Sequence, residues 1–375
     1  YRDTGGLGER RYGAGQWLTV RQPDGQWTDA QVSTDGAPPR LADGQELALH
    51  PWNHAPRELV KGDYEVLREW WMRTLRVEHS NIIDAVVGKR LDVLQQCVAI
   101  NMDTAEERDD VRDARTLARL LHAYHADRCK GGAVDTVAAA LLTGPPAAGK
   151  TSLTSQVIVY SLESEMVPIL IKVQQLQRRL IDQPDDFGTA WNWVDAFLRL
   201  KYHDQPAVYH FLRQALLSRR VLLLLDGLDE GGAKRDEIQR HVTEVLAPQG
   251  HVMLCTSRPA GVTEKSFPGF RRIHLSPLTK PQQQEALEQR LGATAVAPLL
   301  EYLERMPVGD DGQRVTANPL MLSMTASVYE LRQGVGMPET IAELYKDASE
   351  AMLSRGGASS KELRRLMQAV FFEAH

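Results

Sequence analysis

The residues with the clearest chemical meaning lie in a loop at positions 144–152, which reads GPPAAGKTS. A short apolar run, residues 138–143, precedes the loop, and an apolar-periodic stretch follows it to Leu162. This order predicts a strand, a loop and a helix. In that context the spacing G-x-x-x-x-G-K-T is typical of a phosphate-binding loop (P-loop), so the segment is predicted to hold the phosphate chain of a nucleotide.

The residue types in the loop fit the demands of phosphate binding. A multiply charged phosphate chain is bound by backbone N–H groups at a helix N-terminus, where the helix dipole also favours anions. Glycine relieves steric limits, and Pro145 and Pro146 have no N–H, so the donors are expected from residue 147 onward. The predicted nucleotide-binding residues of the loop are Gly144, Ala147, Ala148, Gly149, Lys150, Thr151 and Ser152. The alternative is a glycine-rich turn that binds no ligand.

A second group of chemically suited residues follows the apolar run at 221–225, within the sequence VLLLLDGLDE. A strand without polar alternation is expected inside a parallel sheet, and ligands bind at the carboxyl ends of such strands. Asp226, the first acid after the run, is expected to hold Mg²⁺ together with the Thr151 hydroxyl. Glu230 is the first candidate to orient or deprotonate an attacking water, and Asp229 is the second. The alternative is an acidic, solvated loop.

Arg258 follows the next apolar strand, residues 251–255, and is predicted to lie at the same sheet edge as Lys150 and Asp226. A guanidinium at that place suits a sensor of the γ-phosphate. Arginine is also common at strand ends on protein surfaces, so the spacing alone leaves both interpretations open.

The elements around these residues alternate between buried strands and helices. Residues 167–173 (VPILIKV) form another apolar run, and residues 191–220 carry two helical patterns. Together with the strands that precede Asp226 and Arg258, this alternation predicts a βαβ series with a parallel sheet.

Residues 1–60 are predicted to form a small β-rich domain of SH3-like or Tudor-like type. A hairpin is expected from the runs 16–22 and 26–32, which flank Pro-Asp-Gly. The tryptophans Trp17, Trp27 and Trp52 either form the core of this small domain or line a groove for a protein or peptide partner.

Two helices are predicted between this segment and the P-loop. Residues 63–79 form the first, whose apolar residues at helical spacing favour packing: Val66, Leu67, Trp70, Trp71 and Leu75. A capping box of Thr104 and Glu107 predicts the start of the second helix, which ends near Gly131.

Three metal-binding residue types share one face of the second helix: His122, His125 and Cys129. Their spacing is compatible with zinc, but no fourth ligand is evident nearby. An ordinary helix face is therefore the preferred interpretation.

The composition excludes several classes of protein. The chain has 375 residues, 43% of them apolar and 25% charged, which is typical of a globular protein with more than one domain. A formal net charge of -5 provides no overall basic field, so nothing directly indicates nucleic acid or a membrane as partner. Distant cysteines argue against a disulfide framework, and no apolar stretch approaches the roughly 18 residues of a membrane span. We therefore expect a cytoplasmic (intracellular) protein.

Four motifs in this order resemble the NACHT family of signal-transduction ATPases: GPPAAGKT, LLLLDGLDE, CTSRP and NPLML. The segments VPILIKV, IHLSPLTK and MPETIAELYKDASEAML are similar as well, so the resemblance covers residues 130–375. It implies an α/β P-loop NTPase with a parallel five-stranded sheet flanked by helices and a C-terminal helical domain. ATP or ADP and Mg²⁺ are the implied cofactors.

The resemblance assigns the same roles to the P-loop, the Walker B strand and the sensor arginine: Lys150, Thr151, Ser152, Asp226, Asp229, Glu230 and Arg258. It adds Pro319, which matches the proline that packs near the adenine or ribose of bound ADP. Residues 361–375 resemble the opening of a winged-helix domain, and that domain's ADP-contacting histidine would lie beyond His375.

These observations predict five segments in a fragment of a longer chain. They are a β-rich domain (1–60), a helical connector (61–103), a nucleotide-binding domain (104–275), a helical domain (276–357) and a truncated winged helix (358–375). The N-terminal 100 residues resemble neither a death-fold nor a TIR effector, and no repeat period is visible.

Three functions compete on the sequence alone. The first is a NACHT-type switch, closed with ADP and opened by nucleotide exchange, which self-associates in the ATP state and is reset by slow hydrolysis. The second is a catalytic P-loop ATPase or small-molecule kinase. The third is a nucleotide-stabilised scaffold with a peptide-binding N-terminal module, for which hydrolysis would be irrelevant.

Overall fold

A computed structural model describes residues 12–34, 38–40, 44–46, 53–84, 86–95, 101–104, 111–130, 137–308 and 314–355. The described residues belong to two compact units. The sheet unit draws on residues 1–78, 103–145 and 157–274, and the helical unit draws on residues 79–102, 146–156 and 275–375. The predicted winged-helix segment, residues 358–375, lies outside the described residues.

The strands of the described chain are β1 (Trp17–Arg21), β2 (Trp27–Val32), β3 (Pro39–Arg40), β4 (His54–Pro56), β5 (Asn81–Ile83), β6 (Arg90–Asp92), β7 (Asn101–Thr104), β8 (Ala139–Thr143), β9 (Val167–Lys172), β10 (Val221–Asp226), β11 (Val252–Ser257) and β12 (Arg271–Ser276). The helices are α1 (Lys61–His79), α2 (Ala114–Cys129), α3 (Lys150–Ser161), α4 (Val173–Asp182), α5 (Pro184–Gly188), α6 (Trp193–Lys201), α7 (Pro206–Leu217), α8 (Arg235–His241), α9 (Lys280–Leu291), α10 (Ala293–Arg305), α11 (Pro319–Leu331) and α12 (Ile341–Arg355). No helix among them is long and apolar enough to cross a membrane.

The main sheet has the strand order β7-β12-β8-β11-β10-β9, and β12, β8, β11, β10 and β9 pair in parallel. Every side chain of β11 is buried, as is every side chain of β10 before Asp226. Burial on both faces explains why these strands lack polar alternation. The α/β fold with a five-stranded parallel sheet flanked by helices is thereby confirmed. Burial also raises the pKa of the Cys255 thiol to about 12, so this cysteine stays protonated at neutral pH.

The N-terminal strands form a separate antiparallel sheet in the order β3-β2-β1-β4. The predicted hairpin is confirmed by the pairing of β1 with β2. Its turn contains Gly25 at φ 89°, and the Gln26 N–H donates to Asp24 Oδ1 at 2.9 Å. A left-handed φ at this position is readily adopted only by glycine, which is why Pro-Asp-Gly closes the turn.

The tryptophans of this segment differ in their surroundings. Trp27 is only 6% exposed, and the Arg220 guanidinium lies 4.6 Å from the centroid of its ring and 4.6 Å from that of Tyr64. Trp17 is 41% exposed, and the Arg57 guanidinium stacks 4.1 Å over its ring. Trp52 lies outside the described residues. Trp27 is therefore occupied by packing within the sheet unit, while Trp17 is covered on one face.

Polar contacts fix the N-terminal sheet to the rest of the sheet unit. Arg21 forms an ion pair of 3.1 Å with Glu165. The N–H groups of Glu58 and Leu59 donate to Gln214 Oε1 at 2.8 and 2.7 Å. These contacts make the N-terminal sheet part of the same compact unit as the parallel sheet.

Helix α1 packs with one face, and that face is narrower than predicted. Trp71 lies on it, and its Nε1–H donates to the Pro168 carbonyl at 3.0 Å. Val66 and Trp70 are 69% and 44% exposed, so their predicted place on the packed face is wrong. The reason is that apolar residues occupy more than one face of the helix, and only one face is covered. The buried residues are Tyr64, Trp71, Met72 and Leu75.

Helix α2 begins later than the sequence pattern indicates. Thr104 belongs to β7, so the predicted helix start at this residue is wrong, and Glu107 and Gly131 lie outside the described residues. The N-cap is Asp113, whose Oδ1 accepts the Thr116 N–H at 2.7 Å. The Thr116 side chain in turn accepts the Asp113 N–H, which completes a capping box.

The histidines of α2 are engaged in local contacts. His122 Nε2 lies 2.9 Å from Ser161 Oγ. Burial lowers the pKa of His125 to about 4, so its ring is neutral at physiological pH. Within the described part of the chain, no group of three or more His, Cys, Asp or Glu side chains could hold a metal ion.

The helical unit packs α9–α12 around two apolar clusters, one with Leu287, Leu299 and Leu322 and one with Met321, Val328 and Leu344. An ion pair lies in its interior: Arg290 on α9 contacts Asp84 at 3.1 Å. Asp84 follows β5, so this pair fastens the β5–β6 hairpin to the helices.

Candidate functional site

The backbone of the P-loop has an unusual conformation between β8 and α3. Ala147 has φ 61° and Gly149 has φ 88°, both in the left-handed region. This region costs a residue with a Cβ atom roughly 1–2 kcal/mol, so Ala147 is a strained position. Such strain is found where the backbone is arranged for a ligand, and left-handed residues in a loop form anion-binding concavities of N–H groups.

The predicted phosphate-binding residues follow directly in the first turn of a helix. Because α3 begins at Lys150, the N–H groups of Lys150, Thr151 and Ser152 belong to the turn whose N–H groups have no acceptor within the helix. Ala148 is buried, Lys150 and Ser152 are half-buried and Thr151 is exposed. The helix start therefore presents an anion-binding end.

Gly144, at the start of the loop, has a different contact from the residues after it. It is buried, and its N–H donates to the Ser257 carbonyl at 3.2 Å. Ser257 is the last residue of β11, the neighbour of β8. The start of the loop is thus fixed to the carboxyl end of the adjacent strand.

Asp226 is positioned by a threonine on the adjacent strand. Thr256 Oγ1 donates to Asp226 Oδ1 at 2.6 Å and accepts the Gly227 N–H at 2.9 Å. Thr256 is only 1% exposed. A buried hydroxyl with both contacts holds the Walker B carboxylate in one orientation at the end of β10.

Asp229 and Arg258, predicted separately, form one ion pair. Asp229 Oδ2 lies 3.1 Å from Arg258 Nε, and Asp229 Oδ1 accepts the Arg258 N–H at 3.0 Å. Ser257 Oγ also approaches Asp229 Oδ1, at 3.4 Å. The Arg258 side chain is 53% exposed, so its position is fixed at Nε while much of its guanidinium faces solvent.

Gly261 makes this arrangement sterically feasible. A Cβ atom at Gly261 would lie 2.2 Å from Asp229 Cβ and 2.9 Å from Asp229 Cα. Only glycine allows the turn after β11 to approach Asp229 so closely.

Glu230 differs from Asp226, which Thr256 holds, and from Asp229, which pairs with Arg258. It is exposed, and its side chain lies near Gly227, where a Cβ atom would be 3.1 Å from Glu230 Cδ. Gly227 adopts φ 81°, which is compatible with glycine and unfavourable for larger residues. Glu230 is thus a carboxylate at the surface, one turn after Asp226.

Pro319 and Asn318 lie at the start of α11. Pro319 is the first residue of that helix, where its missing N–H is tolerated. Asn318 is the N-cap, and its Oδ1 accepts the Leu320 N–H at 2.9 Å. Asn318 Nδ2 also donates to the Pro146 carbonyl in the P-loop at 3.3 Å.

The donor groups at these positions fit Mg²⁺ and a nucleotide. Mg²⁺ takes oxygen ligands and is commonly bound through one or two protein groups plus phosphate oxygens and waters. A carboxylate at Asp226 and a hydroxyl at Thr151 are donors of this kind, and Lys150 suits the phosphates.

Sequence reasoning assigned no role to three residues that the structure places beside predicted ones: Thr256, Gly261 and Asn318. Thr256 could have been found, because it is the first polar residue after the apolar part of β11 and follows Cys255, which pairs with Leu225. The contacts of Gly261 and Asn318 join residues far apart in the chain, and no local pattern predicts them.

Comparisons with known proteins gave matches to solved structures at low similarity. No protein-family model and no curated protein sequence matches the chain. AMPPCP-bound DnaA from Aquifex aeolicus is similar at 15% identity and a TM-score of 0.35, over 68% of each chain. PCH-2 of C. elegans is similar at 13% identity and a TM-score of 0.32, over 65% of this chain and 67% of that one. Aeropyrum pernix ORC1 in complex with DNA gives 14% identity and a TM-score of 0.35, over 63% of this chain and 64% of that one. TM-scores this low carry no argument about function. The functional proposal therefore rests on the site residues.

Proposed function

We propose that this chain is a NACHT-type molecular switch that binds ATP and ADP. The observation that carries its nucleotide-binding part is the P-loop backbone, and the NACHT-type part rests on the sequence motifs. Ala147 and Gly149 adopt left-handed conformations immediately before a helix that starts at Lys150. Left-handed residues just before a helix start form a concavity of N–H groups that suits an anion, which supports the proposal.

Each site residue has a role in this proposal. The N–H groups from Ala147 onward and the Lys150 ammonium bind the phosphates, while Thr151 and Asp226 hold Mg²⁺. When bound, Mg²⁺ neutralises charge on the phosphate oxygens. Thr256 keeps the Asp226 carboxylate oriented. Pro319 packs near the base or ribose, as the family resemblance implies.

Hydrolysis is assigned to three residues: Glu230, Asp229 and Arg258. Glu230 orients or deprotonates the attacking water, because its carboxylate is exposed near the end of β10. Asp229 already accepts hydrogen bonds from Arg258, so it serves better as a positioning residue than as a base. Arg258 then contacts the γ-phosphate and distinguishes ATP from ADP.

The switch follows from this difference between nucleotides. Contacts that only the γ-phosphate can make favour one arrangement of the protein over another, so nucleotide identity shifts the population. We propose that the ATP-bound state self-associates and that slow hydrolysis returns it to the ADP-bound state.

The first experiment tests nucleotide binding. The nucleotide that copurifies with the protein is identified by chromatography after denaturation, and we expect ADP. Lys150→Ala should abolish binding of a fluorescent ATP analogue, whereas Lys346→Ala, at an exposed position on α12, should leave it unchanged. Equal affinity of Lys150→Ala and wild type would show that the phosphate site is wrongly assigned.

The second experiment separates the switch from the alternatives. Glu230→Gln should retain ATP and shift the protein toward larger assemblies in light scattering with ATP. A scaffold would assemble identically with either nucleotide, and a kinase would transfer phosphate to an added metabolite.

A further inference from the structure

The side chain of Asn318 makes two kinds of hydrogen bond at once. Its Oδ1 accepts the N–H groups of Leu320 and Met321 at 2.9 and 3.4 Å, which caps α11. Its Nδ2 donates to the Pro146 carbonyl at 3.3 Å. Because an amide oxygen only accepts and an amide nitrogen only donates, both groups of the side chain are used and its orientation is defined.

The carbonyl that Asn318 binds belongs to an important peptide unit. Pro146 C=O and Ala147 N–H are parts of the same planar trans peptide, so they point in opposite directions. Pro145 and Pro146 have no N–H, which makes the Ala147 N–H the first donor that the loop can offer after Gly144. Holding the carbonyl from one side therefore directs this N–H to the other side.

The same peptide adjoins the strained residue of the loop. Ala147 adopts φ 61°, and this torsion is set by the orientation of the peptide that precedes it. A hydrogen bond from outside the loop that fixes this peptide helps to maintain the left-handed conformation. Asn318 is placed to supply it.

We propose that Asn318 is a positioning residue that links the helical domain to the phosphate site. It holds the Pro146–Ala147 peptide so that the Ala147 N–H faces the phosphates, and it does so only while α11 stays in place. Movement of α11 and release of nucleotide are then coupled, and the coupling acts in both directions. This inference rests on the proposed nucleotide-binding function.

The test uses two substitutions that keep the helix cap. Asn318→Asp and Asn318→Ser both provide an oxygen for the Leu320 N–H, but neither provides a donor that reaches Pro146. The aspartate variant adds a negative charge, which could by itself speed the release of ADP by repelling its phosphates. The serine variant adds no charge and so controls for this repulsion. The measurement is the dissociation rate of a fluorescent ADP analogue from the full chain, with the thermal unfolding midpoint recorded alongside.

Both variants should release ADP about three- to tenfold faster than wild type. Because both keep an N-cap oxygen, their unfolding midpoints without nucleotide should stay close to that of wild type. The matched control is Asn192→Ser, because Asn192 caps α6 through the Asp195 N–H and also donates from its amide, to Gln249. This control should leave ADP release unchanged.

Two outcomes separate the inference from the proposal on which it depends. If both Asn318 variants release ADP at the wild-type rate while Lys150→Ala fails to bind it, the coupling through Asn318 is wrong and the nucleotide site stands. If Lys150→Ala binds ADP as wild type does, the proposed function itself is wrong and the inference is overturned with it.

Discussion

Two pairs of aspartate and arginine in this protein have the same chemistry and opposite surroundings. Arg258 and Asp229 approach within 3.1 Å, with side chains 53% and 13% exposed. Arg290 and Asp84 also approach within 3.1 Å, with side chains 4% and 3% exposed. Distance therefore does not distinguish the two pairs, whereas burial does.

The buried pair is saturated with further partners. Arg290 also binds Glu330 at 2.7 Å and Ser327 at 2.8 Å, and Asp84 accepts the N–H groups of Val86 and Val87, each at 2.9 Å. Charges removed from water require such partners. The exposed pair leaves the distal part of the arginine in solvent, so its charge is available to a ligand. The buried pair is therefore a structural contact, and under the proposed function the Arg258 guanidinium serves the ligand.

The largest expected effect comes from breaking the buried pair. Arg290→Ala leaves Asp84 buried without its counter-charge, which should cost about 3–5 kcal/mol of stability, measured as the change in urea unfolding. The control is Arg305→Ala, whose partner Glu301 lies 3.9 Å away in an exposed pair, 80% and 77% exposed. Its expected cost is below about 0.5 kcal/mol. Similar losses in the two variants would show that burial does not decide how much such a pair contributes to stability.

The second effect tests whether the Asp229–Arg258 pair needs the close approach of Gly261 to Asp229. Gly261→Ala places a Cβ atom 2.2 Å from Asp229 Cβ, so Asp229 must move, and the cost should be about 1–3 kcal/mol. Under the proposed function ATP hydrolysis should fall as well, because Asp229 contacts Arg258. Gly62→Ala is the control, since a Cβ atom at Gly62 meets nothing within 4 Å. An unchanged unfolding midpoint in Gly261→Ala would show that the close approach is not required.

The third effect concerns the hydroxyl beside the Walker B acid. Thr256→Val removes the donor to Asp226 and the acceptor of the Gly227 N–H, which should cost about 1–2 kcal/mol and weaken Mg²⁺-dependent nucleotide binding. Thr256→Ser keeps the hydroxyl and serves as the control. The measurement is the ATP affinity of each variant with and without Mg²⁺. If Mg²⁺ raises the affinity of Thr256→Val as much as that of Thr256→Ser, the positioning role is refuted.

The smallest effect on stability is expected from the exposed pair itself. Arg258→Ala should cost less than about 1 kcal/mol, because solvent screens a half-exposed pair. Under the proposed function, however, ATP hydrolysis should fall about tenfold or more. The measurements are the free energy of unfolding and the steady-state rate of ATP hydrolysis, both made on the same preparation of Arg258→Ala. A large loss of stability with normal hydrolysis would reverse the roles assigned to the two pairs.

The sequence predicted the elements whose signal is local. The apolar runs that became β9 and β10 were placed within one residue of their bounds, since strands buried on both faces need continuous apolar sequence. The strand–loop–helix order around residues 144–152 and the place of Asp226 at the end of β10 were predicted correctly, because both follow from short local patterns. Val66 and Trp70 were wrongly placed, because periodicity does not say which of two apolar faces is covered.

The remaining site features depend on contacts between distant residues. Thr256 reaches Asp226 through strand register, which pairs Leu225 with Cys255. Asn318 and Pro146 are 172 residues apart, and their hydrogen bond follows from the packing of α11. A single sequence contains no pattern for such contacts, because they depend on which distant elements pack together.

The attachment of the N-terminal sheet has a consequence for the order of events during synthesis. Arg21 and its partner Glu165 are 144 residues apart, and Glu58 and its partner Gln214 are 156 residues apart. At about 5–20 residues per second, the ribosome needs roughly 7 to 30 s to supply those partners. During that interval the ring of Trp27 also lacks the Arg220 guanidinium that packs on it. The N-terminal sheet must therefore wait for the parallel sheet before its own contacts are complete.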